Sequence, residues 1–119
     1  MYFFDTYALF EFVIGNESYE PYFDGKIYCT FLNLFELHQA LLREFNKKTA
    51  DYWIKNFDYV SLEITNEDII NASDFRWANK KRDLSSADCI GYVLAKRNKL
   101  KFLTGDKEFE PFENVEFVK

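Results

Sequence analysis

The chain has almost no histidine and little cysteine. One histidine, His38, and two cysteines, Cys29 and Cys89, are spread over 119 residues. No C-x-x-C pair and no histidine cluster is present to build a zinc site or a redox motif. Two thiols, each inside an apolar stretch, make no disulfide framework. They read as buried thiols of a reducing compartment. His38 is the single candidate for an imidazole base. On a helix it lies two residues from Glu36, so the two side chains point different ways, and it reads as a surface or satisfied core residue. No apolar run approaches the roughly 18 residues that a membrane helix requires. The N-terminus, MYFFDTYALF, has no basic region ahead of its apolar residues and is interrupted by Asp5. The expectation is a soluble, cytoplasmic protein with no membrane partner. Internal repeats, low-complexity tracts and interdomain linkers are also missing, and the length suits one domain over 1–119.

What the chain does have is apolar and aromatic mass. Apolar residues make up 48% and aromatics 20%, ample for a packed core. Tyr2, Phe3, Phe4, Tyr7, Phe10, Phe12, Tyr19, Tyr22 and Phe23 are first a core resource. Any that remain exposed could serve an interface or stack on unpaired bases. The formal net charge of −5 argues by itself against a nucleic-acid partner, because phosphate binding is largely electrostatic. Distribution counts for more than the sum. Basic residues cluster at Lys80-Lys81-Arg82, at Lys96-Arg97 with Lys99 and Lys101, and at Lys47-Lys48. Each cluster is open to two readings, a solvated helix end or a phosphate contact.

Punctuation along the chain gives alternating strands and helices. Tyr2-Phe3-Phe4 is a first strand, followed by a helix over 6–14 that stops at Gly15-Asn16. Residues 16–28 carry turn markers at Pro21 and Asp24-Gly25, with room for a short helix between them. The clearest helix spans 31–45, where Leu34, Leu37 and Leu41 recur at helical spacing. Residues 49–57 are helical, and 59–64 alternate loosely as a second strand. Thr65-Asn66-Glu67-Asp68 opens another helix as a capping box. Ser85-Ser86-Ala87-Asp88 repeats that signal and leads to a helix whose last turn is basic, as the helix dipole favours. Residues 101–104 and 115–118 are a third and a fourth strand. Strands separated by helices predict an α/β fold with a mainly parallel sheet covered by helices.

In open α/β sheets the ligand crevice lies outside the carboxyl ends of the strands. Asp5 follows the first strand and Asp106 follows the strand at 101–104. Glu36 and Asp88 interrupt otherwise apolar helical stretches. Each acid has a plain structural explanation. Asp5 can cap the first helix, Asp88 can close a capping box with Ser85, Asp106 can serve a turn, and Glu36 can face solvent. Together they form an ordered set that is harder to assign to chance.

The segments around these acids, YFFDTYAL, FEL at 35–37, LSSADCIGYVLA and FLTGDKEF, resemble in order the motifs of PIN domains, the nuclease fold of VapC-type toxins. The resemblance covers nearly the whole chain. It implies a three-layer α/β/α sandwich with a central, mainly parallel sheet of four to five strands. It implies that Asp5, Glu36, Asp88 and Asp106 are catalytic and bind metal, with Thr104 as a polar supporter; Thr6 and Asn33 lie close to the motifs. The chain departs from the pattern in its aromatic stretch 16–30 and in a last strand that follows Pro111 with little room for a final helix. Hard oxygen ligands suit Mg²⁺ or Mn²⁺ rather than zinc. The implied reaction is metal-dependent hydrolysis of RNA phosphodiester bonds, with one metal or a pair roughly 4 Å apart. The implied partners are an RNA substrate, a cognate antitoxin and a second copy of the chain in a homodimer. Two alternatives stay open: a catalytically silent PIN-like binding module in a larger complex, and a phospho-acceptor receiver domain. The second wants adjacent acids after the first strand, where this chain has Asp5 followed by Thr6.

Overall fold

A computed structural model describes residues 1–119. Five strands, β1 (Tyr2–Phe4), β2 (Tyr28–Cys29), β3 (Val60–Ser61), β4 (Lys101–Thr104) and β5 (Val115–Phe117), form one sheet in the order β3-β2-β1-β4-β5. Every pairing is parallel. The helices α1 (Thr6–Val13), α2 (Phe31–Glu44), α3 (Lys47–Asn56), α4 (Asn66–Ala78) and α5 (Ser86–Arg97) cover its two faces. This is the α/β/α sandwich expected from the sequence. No helix is long and apolar enough to cross a membrane.

The two faces follow from strand alternation. Phe4 and Leu103 point to a core built with Leu9 of α1, Leu34, Leu37 and Leu41 of α2 and Ala50 of α3. Phe3 and Phe102 point the other way, stacked at 5.8 Å, against Ala72 of α4 and Cys89, Tyr92 and Ala95 of α5. At Gly91 of α5 a Cβ would stand 2.6 Å from the Phe3 ring, so only glycine lets the helix lie this close to the sheet.

Three segments differ from the sequence reading. Tyr28–Cys29 is a strand, although the sequence there carries no alternation to mark one. The strand expected over 59–64 shrinks to Val60–Ser61 because its only partner, β2, offers two residues. The short helix of 16–28 is a 3-10 helix over Glu17–Tyr22, opened by the Asn16 side chain and containing Pro21 rather than starting after it. Both cysteines are buried and free.

Several basic residues of the clusters are spent on the fold. Arg97 donates from Nε and from its terminal nitrogen to the two oxygens of Asp68, both at 2.8 Å. Lys96 pairs with Glu113 and Arg82 with Glu108. Lys47 bonds Asp51, which also lies 2.8 Å from His38 Nε2. Asp68 is 1% exposed. It closes a capping box with Thr65 at the start of α4. Burial would raise its pKa, but Arg97 and the Thr65 donors outweigh that and hold it below the ordinary value.

Candidate active site

Chain order explains where a site can form. From β1 the chain moves outward to β2 and β3, then returns to lay β4 on the other side of β1. The switch point therefore lies between β1 and β4, where a parallel sheet opens a crevice at its carboxyl ends. Register pairs Phe4 with Leu103, and the Asp5 N–H donates to the Leu103 carbonyl at 3.2 Å. Asp5 and the Thr104-Gly105-Asp106 loop thus leave the sheet side by side. The first turn of α5 and one face of α2 close the crevice. An open cleft of about 580 Å³ results, with Glu36, Asp88 and Asp106 in its lining. Asp5 is not in that lining; it is fully buried, and its charge is felt beside those of Asp88 and Asp106.

The plain explanations hold only in part. Asp5 does cap α1, accepting the Ala8 N–H on Oδ1 at 2.8 Å. Its Oδ2 is buried with no hydrogen-bond partner. The Ser85 hydroxyl accepts the Asp88 N–H at 3.0 Å, yet the Asp88 carboxylate does not complete the box, and its Oδ1 is also buried without a partner. Asp106 does serve its turn, accepting the Glu108 N–H at 2.9 Å, while the Thr104 hydroxyl accepts the Asp106 N–H. Glu36 is half-buried and accepts from the Thr6 hydroxyl at 2.6 Å. An unpaired buried carboxylate oxygen costs stability, and two of them in one place can be relieved by a retained proton or by a bound cation.

Electrostatics agree with that shortage. Burial pushes the Asp5 carboxyl well above its ordinary value, and the neighbouring Asp88 and Asp106 charges add to the effect. The Ala8 N–H opposes it, as does the Thr104 hydroxyl, which lies close without completing a hydrogen bond. Asp88 is pushed up to about 7, first by burial and then by Glu36 and Asp106, against the Ser85 hydroxyl and the Thr6 backbone. No three of the carboxylates stand close enough, as they are, to enclose a metal ion.

The donor set fits a hard divalent cation: oxygen ligands only, two of them lacking any partner. Several further cleft residues were not singled out from the sequence. Gln39, Ala40 and Arg43 line the cleft with Glu36, and their spacing of three, four and seven residues from it was the available signal. Tyr7 and Phe10 of α1 form the facing wall. Gly105 makes room for Tyr7, because a Cβ there would run into the Tyr7 ring and the Tyr19 hydroxyl.

The family model of the PIN domain matches residues 2–115. No curated protein matches the sequence. Among solved structures, the chain is similar to one from a toxin–antitoxin complex of Klebsiella pneumoniae, with 16% identity, 98% of this chain and 96% of that chain covered, and a TM-score of 0.67. It is also similar to one from a VapBC2 complex of Rickettsia felis bound to a DNA fragment from their promoter. There the identity is 14%, 99% of this chain and 98% of that chain are covered, and the TM-score is 0.73. With the family match running through all four acidic segments, the chain belongs to the PIN domain family.

Proposed function

We propose that the protein is a metal-dependent endoribonuclease and the toxin of a type II toxin–antitoxin pair. The observation that carries this reading is the pair of buried, unpartnered carboxylate oxygens on Asp5 and Asp88 at the sheet's switch point, with Glu36 and Asp106 lining the same cleft. In this reading the four carboxylates hold Mg²⁺ or Mn²⁺. When bound, the metal supplies charge neutralisation at the scissile phosphate and activation of a water for in-line attack. The chain's own groups do the positioning. The Asp5 cap on α1 fixes one oxygen and leaves the other for the site. The Thr104 hydroxyl holds the Asp106 loop through its N–H. Tyr7 and Phe10 offer an apolar wall for a nucleobase beside the phosphate.

The similar solved structures come from toxin–antitoxin complexes, which supports an antitoxin as the protein partner here. Phe31, Phe35, Ile69 and Trp77 are exposed on α2 and α4 and provide apolar surface for it, and the implied homodimer would draw on the same resource. A catalytically silent binding module is the second reading. It keeps the same fold and the same four acids without the reaction.

Incubation of the purified protein with structured RNAs, with Mn²⁺ or with EDTA, separates the two readings. Cleavage is expected in Mn²⁺ only and is expected to vanish in Asp5→Asn. That variant keeps a carbonyl oxygen to cap α1 and loses the charge, so it is expected to fold. Metal binding without cleavage would establish the silent module. Cleavage surviving both EDTA and the substitution would remove the four-acid mechanism.

A further inference from the structure

We propose that Asn33 is a positioning residue that aims the Thr6 hydroxyl at Glu36 and so fixes how Glu36 is presented to a cation. The proposal deepens the metal-site reading above and rests on it for the role of Glu36. Asn33 lies in the first turn of α2 and is fully buried. Its Oδ1 accepts from the Thr30 backbone N–H at 3.1 Å and from the Thr30 hydroxyl at 2.9 Å.

A backbone N–H can only donate, so this end of the amide is the oxygen. The other end is therefore NH₂, and it donates to Thr6 Oγ1 at 3.3 Å. With Thr6 Oγ1 accepting there, its own hydroxyl hydrogen is free to donate, and it donates to Glu36 Oε1 at 2.6 Å. Donation runs in one direction from the Thr30 N–H to the Glu36 carboxylate. One Glu36 oxygen is thereby committed as an acceptor, and the other is left to the cleft that Glu36 lines.

Helix capping accounts for only part of this chain. Thr30 and Asn33 do form a capping box for α2. Capping does not call for the bond from Asn33 to Thr6, 27 residues away, or from Thr6 to Glu36, 30 residues away. An aspartate at position 33 would serve the box equally well but could not donate to Thr6. It would instead attract the Thr6 proton and turn it away from Glu36.

Calorimetric titration of the metal-free protein with Mn²⁺ tests the relay without relying on cleavage. Thr6→Val, which keeps the shape and removes the hydroxyl, is expected to weaken Mn²⁺ binding about 10- to 100-fold, the usual effect of losing an outer partner of a ligand. Thr6→Ser is expected to restore it. Asn33→Asp is expected to weaken binding too, although simple attraction by an added carboxylate would tighten it. Binding unchanged in Thr6→Val, or as tight as wild type in Asn33→Asp, overturns the proposal. A second measurement in EDTA needs no metal. Asn33→Asp is expected to lower the melting temperature in wild type by at least twice as much as in Glu36→Ala, where Thr6 has lost its acceptor. Equal losses in the two backgrounds overturn the relay. If the wild type binds no Mn²⁺, the metal-site reading fails, and the relay stands or falls on this second measurement alone.

Discussion

Asp88→Asn is expected to abolish Mn²⁺-dependent RNA cleavage and, in EDTA at pH 8, to raise the melting temperature by about 5–10 °C. The two effects have one cause. Folding buries the Asp88 carboxylate among Glu36 and Asp106 and raises its pKa from 3.8 to about 7. That difference corresponds to about 4 kcal/mol carried by the folded protein at pH 8. An amide of the same size removes the charge but not every polar cost, so a gain of about 2 kcal/mol is the reasonable share. The pH dependence has a definite sign. Between about pH 4 and pH 7 the folded protein retains a proton that the unfolded chain has released. Wild-type stability attributable to Asp88 therefore falls as pH rises through that window and is flat above it. The advantage of Asp88→Asn should shrink steadily from pH 7 down to pH 4. Millimolar Mn²⁺ should reverse it, because binding to the folded state stabilises the wild type alone. A wild-type melting temperature indifferent to millimolar Mn²⁺ would sink the shared site. An Asp88→Asn variant less stable than wild type in EDTA would show that the charge is satisfied some other way.

Arg97→Met is expected to cost about 2–3 kcal/mol in urea denaturation at pH 7. Methionine keeps the apolar stem and deletes the guanidinium, leaving Asp68 1% exposed with only its Thr65 donors. Breaking a buried pair from one side is strongly destabilising because a charge is stranded. Arg97 is itself partly open to water, which tempers the loss. Asp68 has its pKa held down in the fold, so its contribution is present above the unfolded value near 3.9 and is lost as pH falls through the folded one. The gap between wild type and Arg97→Met should accordingly hold down to about pH 4 and narrow only below it. Removing both charges with Asp68→Asn should recover part of the loss. An unchanged urea midpoint in Arg97→Met would return Arg97 to the pool of cations free for phosphate.

That pool is one place where the sequence spoke ambiguously. A basic helix end looks the same in one dimension whether it faces solvent, RNA or an acid thirty residues away; only folding brought Arg97 to Asp68 and Lys96 to Glu113. The long elements were legible because their signals are local. The leucine spacing of α2, the Thr65-Asp68 box and the Phe102-Leu103 run all act within a few residues. β2 was invisible because a two-residue strand has no period. It exists only through its pairing with β1 and β3. The same fact shortened β3, whose alternation continues past the end of its partner. At the candidate site, the four acids were legible as exceptions to apolar patterning. The partnerless oxygens and the Thr30-Asn33-Thr6-Glu36 chain were not, since they depend on side chains meeting across elements far apart in sequence.

The brevity of β2 and β3 sets how the crevice can breathe. β3 is tied by Val60 N–H to the Ile27 carbonyl and by Leu62 N–H to the Cys29 carbonyl, and Val60 and Ser61 face water. Those amides should surrender their protons to deuterated solvent through local fraying, while the amides between β1 and β4 wait for global opening. Asp5 and Asp106 leave from the slow-exchanging pair of strands, whereas α2 and Glu36 depart from the loosely sewn side. The Thr6–Glu36 hydrogen bond bridges the two sides, so the gap between Glu36 and the aspartates is expected to widen only when that bond opens.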